Sequence, residues 1–539
     1  MHHTHAPVDH LTVLRISDPH QLDAPAIAEI AGGRPLRLEK SLLDAISAQR
    51  LEVLELLDDG NPVYGVNTGM GAASEVPLDV IAQSRHQDNL MLARAVGSAP
   101  WLNRPETRAV IAVRLRTFLS GDAGVSAELC VRLAELLSMD LLPAIPRTRI
   151  GAAGEIIPLA HLGGALTGSG AFLADGGAAR STGHAAGGTT VQVTGHTAGH
   201  ITGDAAVDAA GVLEAAQMAP YSYGTKEGVA LIEGVPVATA LAILLANDAR
   251  LLAAQAVALT SAEIALVGAS RDPFDPALAR ADAELGTVLG AIRQLAGSDP
   301  APRTLQSPLS FRVLGPAVAQ LLRSIATVDA AVGRALNGVT DSPAYLAGRF
   351  IGTAGFDGFD LAASLDGLRL SLIHVAETSA ARVHRLLDER FTGLPRQLSG
   401  QPGLHAGMVA VHKRTVGVVH ELVAAARPSS VGAIETSFGQ EDVQSFSAEA
   451  AEACGHAAVG LRDVFACELL TVIQGVRLAQ DPLEHVDQRL GTLVDDASAL
   501  LPAGTDDRAF GKDISLLNEL LASGWGRWVA TEELSIPAQ

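Results

Sequence analysis

Aromatic residues make up only 4% of this 539-residue chain, with three tryptophans and four tyrosines. Alanine is abundant and β-branched runs are short. That mix argues against a strand-rich fold and favours helix. Cysteine is almost missing: Cys130, Cys454 and Cys467 are odd in number, widely spaced and form no Cys-x-x-Cys. A disulfide framework or a zinc–thiolate site is therefore not expected, and a reducing cytoplasm is the expected home. Basic residues are outnumbered, 39 Lys and Arg against 59 Asp and Glu, for a formal net charge of −20. A general nucleic-acid binder needs a basic face, so that class is set aside. No run reaches the ~18 uninterrupted apolar residues of a membrane span. The polar, His-rich start (His2, His3, His5, His10) does not resemble a signal peptide and reads as a loose terminus.

What is present is apolar content, at 48%, enough for a large core. Residues 8–35 read as a short extended lead-in, with alternation around Leu11, Val13, Leu14 and Ile16. Helical spacing follows over 36–59, 76–98 and 104–142, where Pro143 and Pro146 end the last run. A Gly/Ala turn at 149–154 leads into a helix over 158–166. Residues 167–203 are rich in Gly, Ala, Thr and His and read as a surface hairpin or flap. They carry His184, His196 and His200 without the carboxylate or thiolate spacing of a metal site. From 226 to about 292 the chain is Ala/Leu-rich helix, interrupted near Pro236. Long helices recur at 314–336, 360–388, 405–426 and 446–480, before a more polar tail. The pattern predicts a mainly α protein built on a bundle of long helices. It divides into an N-terminal part (1–225), a central bundle (226–480) and a C-terminal tail (481–539).

Two stretches carry chemistry. Tyr64-Gly-Val-Asn-Thr-Gly-Met-Gly71 is a Gly-rich loop, and such loops often hold function. Gly151-Ala-Ala-Gly-Glu-Ile-Ile-Pro-Leu-Ala-His161 is a tight turn entering an apolar helix. With Gln87-Asp-Asn-Leu90, Lys226-Glu-Gly-Val-Ala-Leu-Ile232, Gln306-Ser-Pro-Leu-Ser-Phe-Arg312, Asn337-Gly-Val-Thr-Asp341, Gly393-Leu-Pro395 and Gln440-Glu-Asp442 in order, the chain resembles the histidine/phenylalanine/tyrosine ammonia-lyase and aminomutase family. The likeness covers roughly residues 35–480.

The resemblance implies a homotetramer around a central helical bundle, with each active site built from three subunits. It implies a methylidene-imidazolone made from an internal Ala-Ser-Gly, whose serine loses its hydroxyl as water. Here the tripeptide is Ala152-Ala153-Gly154. Alanine has no β-hydroxyl, so this prosthetic group is not expected, and no other cofactor or metal is. Further departures are Glu233-Gly-Val235 for Asn-Gly-Thr, Leu309 for the tyrosine of Tyr-Ser-x-Arg, Gly355-Phe-Asp-Gly358 for Asn-Phe-His-Gly, and Val443 for the histidine of Gln-Glu-Asp-His.

By resemblance Tyr64 is the base that takes a β-proton. A free phenol has a pKa of about 10, so it needs cationic neighbours or helix dipoles to act near neutrality; otherwise it merely holds its loop. Arg312 would clamp a substrate carboxylate in two-point fashion, assisted by Asn337 and Gln306, or else form a structural ion pair. Glu233 would face the substrate beside Glu441 and Asp357, where crowded carboxylates share protons and yield a general acid or base. It could also bind a cationic amine, or turn away and pair with Lys226 or an arginine. Leu90, Met91, Leu309 and Phe356 would line the pocket, with Gln440 at its edge.

The expected function is an enzyme of this superfamily without its electrophile. It would use Tyr64, Glu233 and Glu441 for elimination, addition, isomerisation or cyclisation on a small carboxylate-bearing substrate. Two other readings stay open: an ordinary aromatic amino-acid ammonia-lyase or aminomutase with serine changed to alanine at 153, and a non-catalytic homologue that binds a small acid.

Overall fold

The computed structural model describes residues 13–151, 153–174, 205–298, 302–479, 483 and 485–536. Leu11, Ala152, the histidines of the N-terminus and His184, His196 and His200 lie outside the described residues. The chain forms two compact units of interleaved segments. The first comprises residues 1–244, 329–363 and 428–452, the second 245–328, 364–427 and 453–539. This differs from the sequential division at 225 and 480: four of the five boundaries fall inside the longest helices, and only that at 427/428 falls in a connecting stretch.

In the first unit, β1 (Leu14–Ile16) pairs in parallel with β2 (Leu36–Leu38), Leu14 opposite Leu36. Between them runs α1 (Ala24–Ala31), capped by the Asp23 carboxylate. The helices α2 (Lys40–Asp58), α3 (Val80–Arg94), α4 (Arg104–Leu119) and α5 (Ala127–Met139) follow. The single helix expected over 104–142 is two. The chain turns at Gly121 (φ +91°) and Gly124 (φ +63°), and Ser126 caps a new start by accepting from the N–H of Leu129. Helix α4 is set by a reciprocal cap in which Asn103 and Glu106 satisfy each other's backbone N–H.

Then come α6 (Ile156–Thr167), the antiparallel pair β3 (Ala171–Leu173) and β4 (Ala206–Asp208), and the short helices α7 (Ala209–Ala215) and α8 (Glu227–Ile232). Of the segment 167–203 only residues 167–174 are described; Ala171–Leu173 there pairs with Ala206–Asp208, beyond the segment's end. Helix α6 contacts α3 and α8, so the turn before it and the loop before α3 share one framework. The hairpin β5 (Ala344–Leu346) and β6 (Arg349–Ile351) completes this unit.

Helix α9 (Pro236–Val267) opens on Pro236, at the first helical turn where a missing N–H costs nothing. The segment Glu227–Val267 is long and apolar enough to cross a membrane by composition, but 89% of its apolar window is buried within the protein, as in a core helix. The second unit holds most of α9 together with α10 (Ala283–Ala296), α11 (Leu309–Arg312) and most of α12 (Leu314–Asn337) and α13 (Phe359–Leu386). After these come α14 (Glu389–Thr392), α15 (Val409–Ala424), most of α16 (Ser447–Leu478), α17 (Gln488–Ala499) and α18 (Phe510–Ala522). Its core contains a sealed ion network. Arg382 Nε donates to Glu263 Oε2 at 2.6 Å and to Glu468 Oε1 at 2.9 Å, while Ser379 Oγ donates to Glu468 Oε2 at 2.6 Å. These side chains tie α9, α13 and α16 together. Removing one charge would leave another stranded without water, at a cost of about 3–5 kcal/mol.

Candidate active site

A cavity of about 840 Å³ opens in the first unit, lined from six pieces of chain. The loop before α3 supplies Tyr64, the end of α3 supplies Arg94, the end of α8 supplies Glu233, and residues 436–441 supply Glu441. Ile150, Gly151 and Ala153 form its turn-side wall, and Phe356 lies across from Gly154.

The Tyr64 loop is closed by its own polar groups. Asn67 accepts from the N–H of Val63 at 2.6 Å and donates to the Asn61 carbonyl at 2.7 Å. Gln87 of α3 donates to the Gly65 carbonyl at 3.0 Å and accepts from the N–H of Val229 in α8 at 3.1 Å, so one side chain fastens the loop to two helices. Gly65 is required here: its φ is +69°, and a Cβ would sit 2.9 Å from Met70 Cγ. The N–H of Gly71 donates to the Tyr64 hydroxyl at 2.8 Å.

Burial pushes the Tyr64 phenol above its ordinary value. Glu233 and Glu441 push the same way, against the Gly71 N–H and Arg94. This is opposite to what a phenolate base needs, so near neutrality Tyr64 is a proton-bearing phenol. Composition gave no view of the low-dielectric surroundings that decide the sign.

Glu233 ends α8 and is buried. Its carbonyl accepts from the buried guanidinium of Arg114 on α4, which fixes the backbone there. Its carboxyl does not pair with Lys226: that lysine is taken by Asp341, Nζ to Oδ2 at 2.6 Å, with both groups buried. Burial, then Asp341 and Glu441, push the Glu233 carboxyl up to about 8, against Lys226 and Arg114. Desolvation is the largest cause, and among the carboxylates Asp341, which was not expected, outweighs Glu441, while Asp357 does not contribute.

Glu441 is oriented by Thr436 Oγ1 at 2.9 Å and Ser437 Oγ at 3.3 Å, and its Oε2 also accepts from the Ala153 N–H at 3.5 Å. On the other side of the turn, Glu449 Oε1 accepts from the N–H of Gly151 at 2.9 Å and of Ile150 at 3.2 Å. The backbone N–H groups of Ile150, Gly151 and Ala153 thus donate to two carboxylates, Glu449 and Glu441.

Of the residues singled out from sequence, Tyr64, Glu233, Glu441, Gln440, Phe356 and Ala153 come together around this cavity. Leu90 does not: it is 1% exposed, a core side chain of α3, which corrects its expected place in the lining. Met91 is likewise sealed, packed toward Gly163 of α6. Asn337 is also elsewhere, its side chain accepting from Arg116 at 3.0 Å and donating to the Gly333 carbonyl at 2.8 Å. The Asp357 carboxylate accepts from the N–H of Phe359 rather than joining the cavity. Gln306, Leu309 and Arg312 belong to the second unit. There Arg312 Nε donates to the Ser307 carbonyl at 2.8 Å, and Gln306 and Leu309 are exposed. Arg94 was missed. Its signal was present, because it follows Gln87 by seven residues and so falls on the same helix face. Among the described residues no group of three or more His, Cys, Asp or Glu is placed to hold a metal.

This helical architecture is that of ammonia-lyases and aminomutases. It superposes on ergothionase from Treponema denticola with a TM-score of 0.84 at 21% identity, covering 95% of this chain and 99% of that one. With tyrosine aminomutase from Streptomyces globisporus the TM-score is 0.84 at 23% identity, covering 96% and 98%. The aromatic amino acid lyase family model matches residues 22–499. Histidine ammonia-lyase of Anaeromyxobacter sp. (strain K) is 30% identical over 514 residues, 92% of this chain and 96% of the relative. That of Rhodospirillum rubrum is 27% identical over 503 residues, 91% and 92%. The chain belongs to the aromatic amino acid lyase family and is a lyase-like enzyme.

Proposed function

We propose that this enzyme performs acid–base chemistry on a small carboxylate-bearing substrate without a methylidene-imidazolone. Building that group takes a β-hydroxyl on the middle residue of the turn, and Ala153 offers a buried methyl. The residues present do not fit the group.

The observation that carries the reading is a buried carboxyl, Glu233, pushed up to about 8 and facing the same cavity as the Tyr64 phenol. A general base or acid works best when its pKa lies near the working pH. Glu233 in its ionised form takes a proton from a substrate carbon. Tyr64, holding its proton, gives it to the group that leaves or to the neighbouring carbon. Glu441 raises the proton affinity of Glu233. Elimination, addition, isomerisation and cyclisation all reduce to this exchange of one proton in and one out. Deamination of an aromatic amino acid is disfavoured, because its weakly acidic β-proton would have no electrophile to activate it. Relatives named histidine ammonia-lyase support a substrate of amino-acid size.

The test is deuterium uptake. Aryl α- and β-amino acids and aryl α,β-unsaturated acids are incubated with the protein in D₂O, and C–H signals are followed by NMR. Uptake that disappears in Glu233→Gln and slows in Tyr64→Phe supports the reading; uptake indifferent to both substitutions contradicts it.

A further inference from the structure

Arg94 is the cation of the first-unit cavity. It closes the last turn of α3 and is half-buried, with its side chain in the cavity lining. A guanidinium carries five N–H donors and stays charged in proteins. Among the described residues its one hydrogen-bond contact is Met70 Sδ at 3.7 Å, a weak acceptor, and no carboxylate lies within 4.0 Å of it. Other arginines of this unit are engaged: Arg108 with the carbonyls of Ile30 and Leu137, Arg114 with Glu233, Arg147 with Glu106 and Glu452. Arg94 therefore differs from its neighbours in being desolvated yet not committed to a partner.

We infer that Arg94 binds an anionic group of the substrate, a carboxylate, and so sets which end of the molecule meets Glu233 and Tyr64. The geometry supplies what such a site needs. The guanidinium offers a planar fork for two-point binding. Ile150, Phe350 and Phe356 offer an apolar wall for a carbon skeleton. The substrate class is an acid with an apolar, ring-sized body. Burial lowers the guanidinium's proton affinity, and Tyr64, Glu233 and Glu441 restore it through space, so all four groups share one field.

This inference rests on the proposed function for the reaction but not for binding, so the two can fail separately. The experiment is calorimetric titration of the full-length protein with 3-phenylpropanoate and with its uncharged amide. Arg94→Gln is expected to weaken the acid about tenfold or more and Arg94→Lys about threefold, with amide binding unchanged. A merely structural arginine would not move the ratio of acid to amide. Equal loss of both ligands, an unchanged acid affinity in Arg94→Gln, or no preference for acid over amide in the unaltered protein would each overturn it. Glu233→Gln is expected to keep the preference for the acid. If Arg94 behaves as described but proton exchange ignores Glu233, the functional reading falls and the binding site stands.

Discussion

The hydroxyl of Tyr64 accepts the N–H of Gly71 at 2.8 Å, so the loop that presents this phenol is also latched by it. The same oxygen feels Glu233 and Glu441, and all three groups border one cavity. In the proposed reaction, loop order and proton transfer are therefore coupled at a single atom.

Tyr64→Phe should show both effects. Losing the acceptor leaves the Gly71 N–H without its partner, at a cost of about 1 kcal/mol in denaturant unfolding. Losing the acid should slow turnover or exchange by about 10²-fold or more. A variant of full activity would remove Tyr64 from the chemistry, and one of unchanged stability would show that the latch contributes nothing.

Glu233 makes a prediction about stability with a definite sign. Its carboxyl is pushed up to about 8 in the folded protein, above its unfolded value of about 4.3. The folded state thus holds the proton more tightly. Its stabilising effect is complete below the unfolded value and is lost as pH rises to about 8. Glu155, also pushed up to about 8 by burial, adds a slope of the same sign. The difference between Glu233→Gln and the unaltered protein isolates Glu233. The glutamine variant should gain relative stability from about pH 5 to about pH 8, by at most ~1.4 kcal/mol per pH unit, and then level off. Denaturant melts of both proteins across that range check it; parallel curves would mean that Glu233 titrates normally.

Ala153→Ser restores the missing hydroxyl to the turn. Because Glu233, Leu309 and Val443 also depart from the pattern that the sequence resemblance implies, the serine form should release no α,β-unsaturated acid from histidine, phenylalanine or tyrosine. Ultraviolet absorbance of the product and the intact mass of the chain read this out. Deamination at a substantial rate would favour an ordinary ammonia-lyase altered at one position.

Most of the helices were legible in apolar spacing, because a buried stripe repeats every turn regardless of its partner. The break between α4 and α5 was not. Its signal, Ser120-Gly-Asp-Ala-Gly124, was passed over because apolar spacing resumes on both sides; Gly121 and Gly124 take positive φ there. The Tyr64 loop, Glu233 and Glu441 were readable from residue type and order. Leu90 was misplaced because periodicity does not say which apolar side chain faces a cavity and which faces another helix. Arg94 was legible in its helical spacing from Gln87, but its lack of a carboxylate partner, like the diversion of Lys226 to Asp341, depends on contacts between distant segments, as between Lys226 and Asp341, 115 residues apart. No local pattern encodes those.

The central claim is that an ionised Glu233 removes a proton from substrate carbon with no electrophile present. The most direct measurement is the rate of C–H exchange as a function of pH, with whichever acid of the D₂O panel the protein labels. The account predicts a rate that climbs tenfold per unit below about pH 8 and then reaches a plateau, with the plateau lost in Glu233→Gln. A rate that is flat or falling across that range, or that survives the glutamine substitution, would contradict it.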